Sequence, residues 1–431
     1  MTKWIEADIK NAIISQVPQG SIQDLFGDID FDSSKLFRIC DLINKSETKV
    51  THIISAPGRT ELGGNHTDHN GGKVLCAAIQ IDTLAAVSKT ENGKISIHSN
   101  GFDESFFIDS SDLALNHSEY GTTQALIRGV LAGAKKFGGK IGGFTAEISS
   151  NVGIGSGLSS SASFEVLIAT IVNDLYNDGN IHLNEIAQIG QYAENIYFGK
   201  PCGLMDQTAS AVGGILKIDF GTIGEIDIQQ IQFDMSKTDY ELLVVNTGGG
   251  HASLTAAYAA IPDEMKAVAN ELGFDSLGSC EESIFIENLT KIRSQLGDRS
   301  VLRAMHYYSE NRRVDEMVEA LIGGDFELYL EKVAQSGYSS QNILQNVIPP
   351  QSDGKNQNLG FALALSQLFF EKKGRGVSRV HGGGFAGTIQ AYVHKDDFDE
   401  FSLIMNDLVG PFSTEKLKIR NHGAKTILRI E

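Results

Sequence analysis

Two stretches of the chain crowd together side chains with chemistry to offer. In the first, Ala56 to Ile79 (APGRTELGGNHTDHNGGKVLCAAI), Arg59, Glu61, His66, Asp68 and His69 stand between glycines ahead of a buried strand expected at Val74 to Ile79. A charge-loaded loop between two apolar strands has little packing reason to exist, which marks it as a candidate site. A solvated turn and a metal cluster at His66, Asp68 and His69 are the competing readings of its centre. In the second, Asn151 to Leu167 (NVGIGSGLSSSASFEVL), the alternating Gly153, Gly155 and Gly157 run into Ser159, Ser160 and Ser161. Glycines let main chain approach a ligand closely, and hydroxyls where amides converge suit phosphate or a hard cation.

The second stretch is positioned by a helix. Phe164, Leu167, Ile168, Ile171, Val172 and Leu175 recur at the spacing of one buried helical face, so a helix is expected to start near Ser160. The glycines then end at a helix N-terminus, where unpaired N–H groups and the positive dipole end make a phosphate cradle. A plain glycine turn with a serine cap is the alternative. A dinucleotide fingerprint fails because Ser160 stands where its third glycine belongs, and no Gly-Lys-Ser/Thr follows to make a Walker loop.

Two further acidic residues sit in apolar company. Glu194 lies on the edge of the helical stripe formed by Ile186, Ile189, Ala193 and Ile196 or Tyr197, a run expected to be capped by Asn184. A carboxylate turned into an apolar face needs a partner or a cation, so Glu194 is a candidate metal ligand. Asp206, among Cys202, Leu204, Met205, Ala209 and Ala211, is either a general base or a helix cap.

The rest of the chain bounds the possibilities. Its 431 residues suffice for two domains, and its net charge of −18 argues against nucleic-acid and anionic-membrane partners, which need clustered Lys and Arg. Cys40, Cys76, Cys202 and Cys280 are scattered, with no C-x-x-C pair, as in a reducing compartment. No leader-like or membrane-spanning run is visible, so a soluble cytoplasmic protein is expected. Short helices are expected before Asn44, strands at Thr51 to Ser55, Lys94 to His98, Phe106 to Ile108, Phe144 to Ser149 and Ile215 to Phe220, and a helix from Thr122 to Phe137. The pattern changes between Phe220 and Asp239, which places the domain division at 1–220 and 221–431. Beyond it the sequence predicts strands at Ile226 to Phe233 and Glu241 to Asn246, and helices at Thr255 to Leu272, Glu282 to Leu296, Val301 to Ala320 and Phe326 to Ser336. A glycine-rich hinge at Val380 to Val393 precedes a terminal helix-strand pair.

With these stretches in hand, the chain resembles the galactokinase branch of the GHMP kinase family from about Ala56 to the C-terminus. APGRTELGGNHTDHNGG is similar to the family's sugar signature, usually A-P-G-R-V-N-L-I-G-E-H-T-D-Y-N-G-G, and NVGIGSGLSSSAS to its phosphate loop, which carries proline at the position of Gly153. PCGLMDQ, RAMHYYSENRRV and VHGGGFAGT are similar to three further motifs, in the family's order. The resemblance implies an α+β, two-domain fold with the active site in the interdomain cleft. It implies an ATP-dependent sugar 1-kinase using Mg²⁺, with sugar and ATP as its partners, working as a monomer or weak dimer.

Carried over by position, the resemblance gives Asp206 and Arg59 the catalytic roles, beside the sugar's anomeric hydroxyl and the γ-phosphate. An adjacent guanidinium would keep Asp206 ionised and offset charge on the transferring phosphoryl group. Ser161 and Glu194 match the magnesium ligands. The main chain of Gly153, Gly155, Gly157, Leu158, Ser159, Ser160, Ser161 and Ala162 matches the nucleotide cradle, and Asn65, His66, Asp68 and Tyr258 the sugar side. The chain departs from the signature at Glu61 for asparagine, Gly63 for isoleucine, Asn65 for glutamate and His69 for tyrosine. His381 stands where threonine is common, and the flanks of Tyr258 (LTAAYAAIPDE) lack the usual basic residues. These departures keep open a 1-kinase for an N-acetylated or otherwise modified hexose. A non-catalytic sugar and nucleotide sensor and a metal hydrolase are the more distant alternatives.

Overall fold

A computed structural model describes residues 3–27, 34–100, 105–153, 155–200, 202–221, 226–248, 254–350 and 354–430. Three helices, α1 (Glu6–Gln16), α2 (Gln19–Phe26) and α3 (Ser34–Lys45), lead into strands β1 (His52–Gly63) and β2 (Lys73–Thr90). A hairpin of β3 (Lys94–Ser99) and β4 (Phe106–Asp109) follows, then α4 (Thr123–Lys136) and β5 (Gly143–Ser150). Helices α5 (Ser160–Tyr176), α6 (Leu183–Tyr192) and α7 (Met205–Val212) precede β6 (Ile215–Asp219) and β7 (Asp227–Ile231). The second half runs β8 (Tyr240–Asn246), α8 (Thr255–Glu271), α9 (Glu282–Glu287), α10 (Leu289–Gly323), α11 (Phe326–Ser339) and α12 (Asn358–Lys373). It closes with β9 (Val377–His381), β10 (Thr388–His394), α13 (Phe398–Leu408), β11 (Thr414–Leu417) and β12 (Lys425–Arg429).

The strands form two sheets. The larger has the order β12-β1-β2-β5-β3-β4, with β6 joined to β2 and β7 to β6; the smaller is β11-β8-β10-β9. Strand β2 is the spine of the larger sheet because its length lets it pair with β6 at one end and β5 at the other while β1 runs along both. The period-2 alternation of these strands serves two cores. Ile54, Ala85 and Val87 pack with Val166, Leu167 and Ile171 of α5, whereas Ile53, Leu84 and Ala86 pack under the three N-terminal helices. A third cluster, including Leu62, Leu75, Leu158, Val244, Met317 and Tyr392, fills the seam between the sheets.

Several expectations are corrected. The first charged stretch is not all loop: β1 continues through Ala56 to Gly63, and only 64–72 turn back toward β2. A strand can carry Arg59 and Glu61 here because both are buried against fixed counter-charges, as described below. The cap of α6 is His182 rather than Asn184, the Glu185 carboxylate accepting the His182 N–H at 3.0 Å. Strand β7 pairs with β6, and β12 pairs with β1, so sheet membership does not follow the division at 220 and 221. The helix expected at Glu282 to Leu296 is divided between α9 and the start of α10, and α10 runs on, with a break at Gly297, through the helix expected at Val301 to Ala320. The glycine-rich hinge is the turn of the β9–β10 hairpin.

The two ends of the chain are clasped onto the sheet by one buried carboxylate. Asp82 of β2 lies 2.5 Å from the Lys35 ammonium, 2.9 Å from Arg38 and 3.4 Å from Arg420, and accepts the Ser55 hydroxyl at 2.6 Å. Burial alone would raise its pKa, but the charges of Lys35, Arg38 and Arg420 hold it well below the ordinary carboxylate value. Asp82→Asn would strand three cations. We expect it to cost about 3–5 kcal/mol in urea unfolding at pH 7, as breaking a buried pair does. Because the folded carboxyl is the stronger acid, this contribution is present above its unfolded pKa of 3.8 and fades as pH falls below that, so the mutant deficit should shrink in acid.

Candidate active site

The site is assembled around Arg59. Register shifts in the β1–β2 pairing between Pro57 and Arg59 and between Glu61 and Gly63 re-aim the strand on either side of it. Its guanidinium meets the carboxylate of Asp206, in the first turn of α7, in a two-pronged contact: Nε donates to Oδ1 at 2.7 Å and Nη2 to Oδ2 at 2.8 Å. Arg59 Nη1 donates to the Gly157 carbonyl, and its backbone N–H to the Leu158 carbonyl at 3.1 Å. Ser159 completes the cluster by donating its hydroxyl to Asp206 Oδ2 at 2.5 Å. Burial would raise the Asp206 pKa, but the charge and hydrogen bonds of Arg59 and the Ser159 hydroxyl bring it below the usual value. The Asp206 side chain is 32% exposed, so the ionised carboxylate is reachable.

The glycine-serine loop ends as expected in α5, which begins at Ser160. Its first backbone bond runs from Ser163 N to the Ser159 carbonyl at 3.1 Å, so the amides of Ser160, Ser161 and Ala162 precede the helical ladder. Gly157, at φ +74°, has no room for a side chain: an added Cβ would lie 2.6 Å from Thr388 Oγ1 and 3.0 Å from His381 Nδ1. The glycine-serine loop is therefore pressed against the β9–β10 hairpin.

Beside the loop lies a group of acids. Glu194 sits in a π-turn, Ala193–Phe198, that continues α6. Its Oε1 is 3.4 Å from the Ser161 hydroxyl and 3.2 Å from the Lys200 ammonium, and its Oε2 accepts from the Gln207 amide at 3.1 Å. The same Gln207 amide donates to Glu165 Oε2 at 3.0 Å. Burial, and next the Glu194 charge, push the Glu165 pKa well above the ordinary value. Ser161 and Glu194 offer an oxygen pair suited to a hard cation that keeps waters and phosphate oxygens as its other ligands. Among the described residues, no three His, Cys, Asp or Glu side chains converge as an all-protein metal site.

Of the residues expected on the sugar side, His66, Asn65 and Tyr258 meet the glycine turn at 382–384. His66, at φ +60°, donates Nε2–H to the Gly383 carbonyl at 2.9 Å, which leaves Nδ1 a bare lone pair. Asp68 packs against Gly203, where an added Cβ would lie 2.1 Å from its Oδ2; this brings it to the loop ahead of Asp206. Tyr258 donates its hydroxyl to the Gly384 carbonyl at 2.6 Å. Asn65 is 1% exposed and fully engaged. Its amide nitrogen donates to Glu61 Oε1 at 3.1 Å and the Gly382 carbonyl at 2.7 Å, and its oxygen accepts from Asn346 at 2.7 Å. Glu61 in turn pairs with the buried Arg379.

Sequence reasoning missed the supports. His306 and Glu310, one turn apart on α10, hold the backbone of Gly64 and Asn65 from both ends: Glu310 Oε1 accepts the Gly64 N–H at 3.2 Å, and His306 Nε2–H donates to the Asn65 carbonyl at 2.9 Å. His381 accepts the Glu61 N–H at Nε2, 3.2 Å, and so donates from Nδ1 to Thr388 Oγ1 at 3.0 Å. Glu165 carried a readable signal, a lone acid on the apolar face of α5. His306 and Glu310 lie inside the RAMHYYSENRRV motif, which marked the helix without giving either residue a role, and the contacts of Arg379 and Asn346 carried no signal.

Comparison with known proteins follows the same geometry. Residues 125–214 match the model for the GHMP kinases N terminal domain, and residues 43–89 match the galactokinase galactose-binding signature. The chain is 32% identical to a galactokinase of Streptomyces coelicolor over 82% of this chain and 88% of that one. It is 31% identical to one of Clostridium acetobutylicum over 84% and 92%. Among solved structures it superposes on the Lactococcus lactis galactokinase complexed with galactose with a TM-score of 0.74, at 24% identity, covering 96% of this chain and all of that one. The Methanococcus jannaschii mevalonate kinase matches with a TM-score of 0.61 at 18% identity, covering 86% and 99%.

Three histidines of this region are held neutral. Burial, followed by the neighbouring His69, pulls His66 from 6.5 down to about 4; burial also lowers His306, and burial with Arg59 and Arg379 lowers His381. The unfolded chain takes up protons on them near pH 6.5 and the folded chain does not, so stability should decline as pH falls from about 6.5 toward 4. Denaturant midpoints across that range check this. A ring-proton NMR titration in which His66 charges near its ordinary value would contradict it.

Proposed function

The chain belongs to the galactokinase family of GHMP kinases, and from that premise we infer that it transfers the γ-phosphate of ATP to the anomeric hydroxyl of galactose. The observation that carries the mechanism is the bond from Arg59 to both Asp206 and Gly157, which ties the proton-accepting carboxylate to the phosphate loop. Asp206 accepts the proton of the attacking hydroxyl as the phosphoryl group transfers. Arg59 keeps that carboxylate ionised and directed, and its charge faces the negative charge spread over the transferring group. The amides from Gly153 to Ala162 hold the nucleotide's phosphates at the head of α5. His66, through its open Nδ1, and Asp68 accept hydroxyl protons of the sugar, and Tyr258 braces the glycine turn behind them. Ser161 and Glu194 would hold Mg²⁺, which would supply positive charge to offset that of the nucleotide's phosphates.

Asn65 serves the sugar loop from within. The signature's asparagine and glutamate have changed places here, as Glu61 and Asn65, and the two side chains touch. The carboxylate thereby lies on the strand, neutralised by Arg379, and an amide takes its place in the loop. This exchange is the one observation that favours the second reading, a modified hexose. The four cysteines, all unpaired, accord with a cytoplasmic enzyme. Among the described residues no helix is long and apolar enough to cross a membrane.

A panel of hexoses, N-acetylhexosamines and deoxy sugars with ATP and Mg²⁺ tests the assignment, the product's position being read by phosphorus NMR. Galactose 1-phosphate as the fastest product is the expected result. Asp206→Asn takes the counter-charge from the buried Arg59, so it should lower the melting temperature measurably, and in the protein that remains folded it should lower kcat by about 10²–10⁴-fold, the usual contribution of a positioned base. Retention of most activity would remove Asp206 from the mechanism. Asn65→Glu alone would set a second buried carboxylate beside Glu61, so a large loss of stability is expected. The reciprocal double change, Glu61→Asn with Asn65→Glu, should recover folding and alter relative kcat/KM across the panel. A panel left unchanged by the double variant would deny these residues any part in sugar choice.

A further inference from the structure

Lys200 is placed over Glu194 by main chain as well as by charge. The π-turn ends at Gly199, left-handed at φ +80°, whose Cα is pressed on the Tyr120 ring: an added Cβ would lie 2.7 Å from Cδ2. The chain is thereby folded back, so that the Lys200 backbone N–H donates to the Glu194 carbonyl at 3.2 Å. From there the Lys200 side chain returns to Glu194, Nζ to Oε1, also at 3.2 Å. The two partners are unequal: Glu194 is 5% exposed at the side chain and Lys200 is 65% exposed. The carboxylate is fixed, with Gln207 on its other oxygen, while among the described residues the ammonium's one side-chain hydrogen bond is to Glu194, with Asp206 acting on its charge from farther off.

Resting on the phosphotransfer reading above, we propose that Lys200 is a resident substitute for the divalent cation, neutralising Glu194 in the free enzyme and yielding Oε1 when the metal arrives with the nucleotide. Three features of this chain support it. Oε1 is the oxygen that also faces Ser161, so the ammonium occupies the approach a cation would use. Glu194 shares the Gln207 amide with Glu165, and a nearly buried carboxylate beside another acid is costly without a counter-charge. A divalent ion at Ser161 and Glu194 would also be repelled by an ammonium that close to the same oxygen. Lys200 is thus a positioning residue that sets how strongly the site prefers metal-loaded nucleotide.

The test uses the full chain and no sugar. The dissociation constant of a non-hydrolysable ATP analogue is measured calorimetrically in EDTA and in excess Mn²⁺, and the ratio of the two is the advantage conferred by metal. General damage to nucleotide binding cancels in that ratio. Lys200→Met is expected to raise the ratio about two- to fivefold, the size of an exposed ion pair, while Lys200→Arg keeps the wild-type value. A ratio unchanged or lowered in Lys200→Met, or raised equally in Lys200→Arg, would overturn the proposal. Wild-type protein that binds no nucleotide under either condition would overturn the phosphotransfer reading and this inference with it, a result distinct from an unaltered ratio.

Discussion

An arginine in the middle of a buried strand has to be neutralised on the spot, and the way Arg59 meets that requirement organises the site. Its fork is divided between a carboxylate on α7 and a carbonyl on the phosphate loop, elements separated from it by about 150 and 100 positions in the chain. No single packing contact could hold the three in register. The planar guanidinium can, because two parallel bonds to one carboxylate fix orientation as well as distance. The same contact that satisfies the strand's charge keeps Asp206 in the form able to accept a proton. Stability and chemistry here have one cause.

The acceptor side depends on a second constraint, the polar seam between the two sheets. Thr60 and Glu61 of β1 meet His381 of β9 and Gln390 of β10 through hydrogen bonds of 2.9–3.2 Å. Glu61 also reaches Arg379 and Asn65, and Asn65 reaches Asn346. Apolar surfaces tolerate small slips, but a row of buried donors and acceptors has one register in which its members are paired. The loop bearing His66 and Asp68 hangs from this row, with His306 and Glu310 gripping its backbone from α10. A shift of the second half would therefore be felt at the sugar loop before it disturbed the apolar core of either sheet.

How much of this could be read from the chain alone follows from the range of the interactions. The start of α5 was legible because glycine freedom and a 3.6-residue apolar stripe are local properties, and Glu194 stood out because an acid on such a stripe needs a reason. The run through Arg59 was misread as loop, since charge in a strand interior is penalised unless a distant residue neutralises it, and Asp206 and Arg379 lie about 150 and 320 positions away. Helix α12 went unnoticed because its buried residues, Leu359, Ala362, Ser366, Phe369 and Phe370, include a serine that interrupts the stripe. Asn65 was assigned to the ligand from its place in a motif. Its partners, brought together only by the closed seam, use both N–H groups and the oxygen of its side-chain amide.

Two of the three acids around α5 show how one short region assigns different states to the same chemical group. Asp206 has a guanidinium and a hydroxyl donor and is held ionised; Glu165 has only an amide and deep burial, and its charged form is disfavoured. Glu194 has the Gln207 amide on one oxygen and the Lys200 ammonium on the other. Gln207 makes the arrangement coherent, since its two N–H groups go to Glu165 and Glu194 together and hold both in place. Were Glu165 ionised as well, the amide would join two like charges in a buried space. Its neutral form removes that repulsion and leaves Gln207 free to direct Glu194 Oε1 toward Ser161. Environments that drive like groups apart are what would let a single cluster offer a proton acceptor at one carboxylate and, on the proposed reading, a cation ligand at another.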